Sequence, residues 1–295
     1  MIYTITLNPS IDYSMFPEKF LEGEINRSEA ELTTFGGKGI NVSAILSRLG
    51  VENRALGFVG GFSGKEIERL ARRSGIECDF CEISENSRIN VKVISDCETA
   101  INGKGPFIRE GEERELLEKL SALSEEDTVI ISGKSPESES GELLTNIIEA
   151  SAHTRLVADM EGDDLLFAVE RKPFLIKPNR EELEALFGKT LGDEGKVASF
   201  AAELRARGAK NVLVSLGGDG AILAADDGKI YRARAPRVEV KSTVGAGDSC
   251  LAGFVAGYDK GFSFALSLAM AAGSATAAST ALAEGEEIMR IFSEM

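Results

Sequence analysis

The 295-residue sequence has no tryptophan, a single histidine (His153), four cysteines and seven prolines. One histidine leaves a His-based metal centre without ligands, and nothing around His153 marks it as the base of a Ser-His-Asp or Cys-His nucleophile. Cys78, Cys81, Cys97 and Cys250 fit reduced thiols better than a disulfide framework. Cys78-Asp-Phe-Cys81 has zinc-like spacing, but no second pair follows and His153 is far away, so the pair reads as two loop or strand cysteines. Cations are also scarce, 33 Lys and Arg against 48 Asp and Glu, for a net charge of −15. Such a surface repels nucleic acid and anionic lipid, so neither is expected as a partner. An anionic small substrate would need basic groups concentrated at its site. No apolar run reaches the length of a membrane span, and no basic segment followed by an apolar stretch opens the chain; a cytoplasmic protein is expected.

What is present is an ordinary globular balance, 43% hydrophobic and 27% charged. The length fits one large α/β domain or two small ones at roughly 150 residues each. Ile2–Leu7, Arg54–Gly60, Val129–Ser132, Leu156–Asp159, Phe174–Lys177 and Asn211–Leu216 are short apolar runs that read as strands. Val42, Ile45, Leu46 and Leu49, then Ile67, Leu70 and Ala71, then Val197, Phe200, Ala201 and Leu204 are helical stripes, each stopped by a glycine. Strands alternating with amphipathic helices predict a mostly parallel sheet covered on both faces, with ligands at the carboxyl ends of its strands. Two stretches break the rhythm, Ser10–Thr34 and Arg88–Ile101. Their alternation predicts a small antiparallel flap over the sheet edge. With no repeat, linker or composition break, one domain over 1–295 is expected.

Ser242-Thr-Val-Gly-Ala-Gly-Asp-Ser249 is the strongest local signal. It follows an expected strand at Val238–Lys241 and opens an apolar helix. Gly245 and Gly247 let a ligand approach the backbone, and free N–H groups at the helix start suit a phosphoryl group gaining charge. Asp248 is placed to accept a hydroxyl proton; the plainer alternative is an Asp that caps the helix. In Gly36-Gly-Lys-Gly-Ile-Asn41, Lys38 can neutralise an anion and Asn41 can bond hydroxyls, or the segment is a turn with a solvated lysine. Asn179 and Glu182 match a capping box at a helix start, or a polar pair holding hydrated Mg²⁺. Two look-alikes fail. Gly60-Gly-Phe-Ser-Gly-Lys65 has Val59 where a P-loop needs its first glycine and Glu66 after the lysine. Gly217-Gly-Asp-Gly220 leads into a strand, so it reads as a hairpin turn whose open backbone admits a nucleotide.

Taken in order, Gly36-Gly-Lys-Gly-Ile-Asn-Val42, Asn179-Arg-Glu-Glu182 and Ser242–Ser249 resemble the signatures of the PfkB, or ribokinase-like, carbohydrate kinase family. The resemblance implies an α/β three-layer sandwich with a mostly parallel central sheet and a β lid formed by about 11–35 and 87–104. Thr6-Leu-Asn-Pro-Ser-Ile-Asp12 and Ser87-Arg-Ile-Asn-Val-Lys92 look like the 1-phosphofructokinase and tagatose-6-phosphate kinase branch. That branch implies ATP-dependent transfer to the 6-hydroxyl of fructose 1-phosphate; tagatose 6-phosphate is the alternative acceptor. From another class, a non-catalytic sugar- or nucleotide-binding regulator is the rival, against which the intact Asp248, Gly245 and Gly247 argue. By motif position Asp248 is the implied base, and Gly245, Ala246 and Gly247 form the anion hole. Asp12, Gly37 and Asn41 hold sugar hydroxyls, while Lys38, Arg88 and Asn90 receive the acceptor's phosphate. Lys177, Asn179, Ser215, Gly217, Gly218, Gly220, Thr243, Gly245 and Gly247 contact the nucleotide, and Asn179 and Glu182 hold Mg²⁺ through water. A monovalent cation and a homodimer paired through the lid are further implications. Lys134 and Ser135 depart from the family's usual Ser-Leu, Met160 and Glu161 from a small polar pair, and Ser87 from a more frequent Thr.

Overall fold

The computed structural model describes all of residues 1–295, and its strands sort their apolar residues by alternation. In chain order the elements are β1 (Ile2–Thr6), β2 (Ser10–Phe16), β3 (Ala30–Gly36), α1 (Lys38–Arg48), β4 (Asn53–Gly60), α2 (Gly61–Arg73), β5 (Glu77–Cys78) and β6 (Cys81–Ile83). Next come β7 (Arg88–Ile94), β8 (Glu98–Asn102), α3 (Glu110–Ser121), β9 (Thr128–Ser132), α4 (Leu143–Ser151), β10 (Arg155–Asp159), α5 (Gly162–Glu170) and β11 (Leu175–Ile176). The chain ends with α6 (Arg180–Phe187), α7 (Glu194–Arg207), β12 (Asn211–Ser215), β13 (Ala221–Ala224), β14 (Ile230–Ala233), α8 (Ala246–Gly257), α9 (Phe262–Ala277) and α10 (Gly285–Ser293).

The main sheet runs β14-β13-β12-β11-β10-β9-β1-β4-β5, with β6 also against β4. Its body is parallel, and β12, β13 and β14 form an antiparallel end. Val129, Ile131, Leu156, Ala158, Val212 and Val214 face one core with α3 to α7. The intervening Ile130, Val157 and Leu213 face another with α1, α8, α9 and α10. Period-two strands burying both faces require helices on both, which is the three-layer sandwich. No helix is long and apolar enough to cross a membrane.

A second sheet of four strands, β3-β2-β7-β8, is built from the two irregular stretches. It is mixed rather than antiparallel throughout, because β2 and β7 pair in parallel. The expected strand at Val238–Lys241 is irregular chain instead. No strand lies alongside to complete a ladder, and the N–H groups of Lys241 and Ser242 both donate to the Ala277 carbonyl, at 2.8 and 3.2 Å. Cys78 and Cys81 enter different cores, and burial pushes their thiols up to about 11 and about 12.

Candidate active site

The parallel strands β1, β9, β10 and β12 end on polar residues, Thr6, Ser132, Asp159 and Ser215, and Lys177 follows β11. Thr6, Ser132 and Asp159 stand side by side in register. The hydroxyls of Thr6 and Ser132, Oδ1 of Asn8 and Oδ2 of Asp159 are buried without a hydrogen-bond partner. Each such group costs about 1–3 kcal/mol, so their concentration at one strand edge marks a place built to be filled. Lys177 Nζ lies 3.3 Å from Asp159 Oδ1, with both side chains almost wholly buried. Burial opposes the ammonium charge, but Asp159, backed by Asp248 and Glu182, outweighs it and holds Lys177 above the ordinary lysine range.

Asp248 sits in the first turn of α8, behind Gly245, whose left-handed φ of 77° only glycine adopts without strain. The N–H groups of Gly247 and Asp248 have no backbone partner, whereas Ala246 N–H is turned onto the Thr243 carbonyl at 3.3 Å. A side chain at Gly247 would meet only Lys177 Nζ, 3.6 Å from its Cβ, so the ammonium borders the open amides. Asp248 does not cap the helix. Its Oδ2 accepts a 2.8 Å hydrogen bond from Asn41 Nδ2 on α1, 207 residues away. Burial, then the charge of Asp159, raises its pKa to about 6 against the pull of Asn41, Lys177 and Lys38.

On the other flank, Asn179 and Glu182 form a full capping box. Asn179 Oδ1 accepts from Glu182 N and Glu182 Oε2 from Asn179 N, both at 2.8 Å. Ser215 N–H bonds the Pro178 carbonyl at 3.1 Å and brings β12 against this helix start. Gly217 and Gly218 have open space where a side chain would stand. Arg180 Nη2 holds Asp219 at 3.0 Å and fixes the turn between β12 and β13. Thr243 is exposed, at the approach to Gly245.

Between the strand ends and the small sheet lies a cleft of about 1200 Å³, lined among others by Gly37, Lys38, Arg88, Lys134, Glu161 and Glu182. Lys38 Nζ is 3.7 Å from Glu161, and Arg88 Nε donates to the Asn8 carbonyl at 3.1 Å. Asn90 is not on this wall. It is 8% exposed, and its amide bonds Ser10 Oγ and Asp12 Oδ1 at 3.0 and 2.9 Å while Gly103 N–H donates to its oxygen. Its carbonyl and amino groups are already engaged inside the small sheet, so it orients Asp12 instead of meeting a phosphate directly. Ser87 is a tether: Gly60 N–H donates to its hydroxyl at 3.0 Å and Ser63 Oγ to its carbonyl at 2.6 Å. The P-loop look-alike thus anchors the small sheet.

The structure brings together Asp248, Asn41, Lys177, Asn179, Glu182 and Ser215 on one edge, with Lys38 near enough for its charge to act on Asp248 and Glu182, and Arg88 on the small sheet. Sequence reasoning gave no role to Thr6, Asn8, Ser132 and Asp159. Thr6 and Asn8 lay within a quoted motif; for Ser132 and Asp159 the signal was position, a polar residue at the end of an apolar parallel strand, where such sheets bind ligands.

The family model described as pfkB family carbohydrate kinase matches residues 3–288. A 1-phosphofructokinase of Bacillus subtilis is 43% identical over 262 residues, 88% of this chain and 86% of that protein. A D-tagatose-1-phosphate kinase of Bacillus licheniformis is 38% identical, over 86% and 84% of the two chains. Phosphofructokinase-2 from Escherichia coli, solved with substrates and products, superposes with a TM-score of 0.92 at 28% identity, covering 99% of this chain and 98% of its own. The same enzyme is known in complex with potassium and in a tetrameric inhibited form.

Proposed function

The chain belongs to the PfkB family of carbohydrate kinases, and from that premise we propose that it transfers the γ-phosphoryl group of ATP to the 6-hydroxyl of fructose 1-phosphate, giving fructose 1,6-bisphosphate. The observation that carries the reading is Asp248. It is a buried carboxylate of pKa about 6, held by Asn41 at the start of a helix whose next free donors are amides. A base with that pKa is ionised at neutral pH and still takes a proton from an alcohol as the phosphoryl group arrives. As O6 attacks the γ-phosphorus, its proton passes to Asp248 and the bond to the β-phosphate oxygen breaks. The amides of Gly247 and Asp248 with Lys177 oppose the charge on the transferred group.

In this reading Ser215, Gly217, Gly218 and Thr243 receive the nucleotide; Gly220 does not, since its N–H bonds the Gly217 carbonyl and its own carbonyl accepts from Leu216 N–H. Asp12, Gly37 and the remaining oxygen of Asn41 hold sugar hydroxyls, Arg88 faces the acceptor's own phosphate, and Lys38, whose charge reaches Asp248 and Glu182, stands nearer the transferred group. The residues fit a hydrated Mg²⁺. Glu182 keeps one carboxylate oxygen outside the capping box, and Oδ2 of Asp159 is buried without a hydrogen bond while Oδ1 faces the Lys177 ammonium. Such an ion supplies counter-charge to the polyphosphate, with Asn179 orienting Glu182. A potassium ion is a further candidate, from the solved relative. The small sheet closes over the sugar as a lid within a single kinase domain over 1–295. Ile89 and Ile101 are exposed on one face of it, with Val91 beside Ile101 in register, and offer an apolar face for a second subunit.

The test is a coupled assay with ATP against fructose 1-phosphate, fructose 6-phosphate and both tagatose phosphates. Tagatose 1-phosphate belongs in the panel because of the kinase of that name among the relatives. Highest kcat/KM on fructose 1-phosphate supports the reading; preference for any other acceptor replaces it.

A further inference from the structure

The cleft beside the strand ends, lined by Thr6, Ser132 and Glu182 but not by Asp248 itself, contains four cations, Lys38, Arg88, Lys104 and Lys134. Three have partners: Lys38 with Glu161 at 3.7 Å, Lys104 with Glu137 at 3.0 Å, and Arg88 with the Asn8 carbonyl. Lys134 has none, neither an ion pair nor a hydrogen bond to its ammonium.

Register fixes where it stands. Thr6 and Ser132 are paired across β1 and β9. Asn8 and Lys134 each lie two residues beyond that pair, and the residue that holds Arg88 and the residue bearing the free ammonium both line the cleft. Gly133, at φ 91°, makes the turn that carries Lys134 out of β9. The charge of Lys134 acts on Asp164 in the first turn of α5. That of Lys38 acts on Asp248 and Glu182, at the reacting end. A hexose whose 6-hydroxyl meets Asp248 carries its existing phosphate at the opposite end of the carbon chain, away from Lys38's neighbourhood and toward Arg88 and Lys134.

We propose that Lys134, together with Arg88, is a specificity residue that receives the phosphate already present on the acceptor, and that it contributes more to this than Lys38, which Glu161 partly neutralises. The proposal rests on the kinase reading above and names which residues of that site select a phosphorylated acceptor.

Lys134→Met, Lys134→Arg and Lys38→Met are compared for KM and kcat with fructose 1-phosphate, for KM of ATP, and for discrimination between fructose 1-phosphate and unphosphorylated fructose. Lys134 is exposed, so melting temperature serves to confirm that each variant folds. One lost charge-assisted contact corresponds to about a tenfold rise in KM for fructose 1-phosphate in Lys134→Met, with a similar fall in discrimination. The KM of ATP should move less than twofold, and Lys134→Arg should recover most of the loss. Lys38→Met should affect kcat more than KM. An unchanged KM in Lys134→Met, or equal losses for ATP and the sugar phosphate, overturns the proposal. Absence of turnover on every sugar phosphate of the panel by the unaltered protein is a different result, and rejects the kinase assignment before any variant is compared. If another sugar phosphate is the acceptor, the same ratios are read on that compound, and no loss in Lys134→Met again overturns the proposal.

Discussion

At the residue scale, Asp248 ties rate and stability together with opposite signs. Its pKa of about 6 lies above the ordinary value of 3.8 because burial and Asp159 disfavour the carboxylate. The folded chain therefore holds this proton more tightly than the unfolded one. The stability this contributes is complete below about pH 4 and is lost as pH rises through about 6. The rate runs the other way, since only the carboxylate is a base: kcat/KM should fall about tenfold per unit below pH 6. Asp248→Asn is thus expected to lower kcat by roughly 10²–10⁴. It should also raise the melting temperature at pH 7.5, by an amount that shrinks toward pH 4. Near-normal turnover, or a melting difference independent of pH, would remove Asp248 from the role. Glu182 poses a second question at this scale. Loss of the capping box alone costs on the order of 1 kcal/mol and leaves metal dependence alone. Glu182→Gln is expected to do more, raising the Mg²⁺ concentration for half-maximal rate several-fold; a metal curve that stays in place would leave only the cap.

At the scale of elements, the sequence carried most of the scaffold and only part of the site. Six short apolar runs became strands because burial on both faces writes itself as a continuous hydrophobic run, and the helical stripes of α1, α2 and α7 were equally direct. Val238–Lys241 alternates like a strand yet has no neighbour to pair with, a fact no local pattern contains. The same holds for the parallel pairing of β2 and β7, and for the bond between Asn41 and Asp248, which joins α1 to α8. Motifs named those residues; tertiary packing gave them their partners. The α8–α9 contact shows how close that packing is. A Cβ on Gly253 would lie 2.6 Å from the Leu268 carbonyl oxygen and 3.0 Å from Ala269 Cα, backbone atoms that cannot swing aside. Gly253→Ala is expected to destabilise by about 1–3 kcal/mol despite its better helix propensity. Because α8 carries Asp248 at its start, kcat should fall with it. A variant as stable as the parent would mean the two helices separate more easily than their contact implies.

At the scale of the whole molecule, charge works against the substrates. The chain carries −15, and the cleft itself has more carboxylates than cations: Glu85, Glu137, Glu161, Asp163, Asp164 and Glu182 against the four basic residues. ATP and a sugar phosphate are both anions, so the far field repels what the local groups bind. The two effects have different ranges. Repulsion from the bulk surface acts over a Debye length of about 30 Å at 0.01 M salt and is cut to about 8 Å at 0.15 M, while the contacts proposed for Arg88 and Lys134 act at hydrogen-bond distance. Raising ionic strength from about 0.01 to 0.1 M at fixed free Mg²⁺ should therefore increase kcat/KM for fructose 1-phosphate. Higher salt should then lower it, as the short contacts are screened in turn. An enzyme that steers anions by its overall field would lose rate from the first addition of salt. A steady decline from the lowest ionic strength would show that the local cations, and not the global charge, govern the approach of the acceptor.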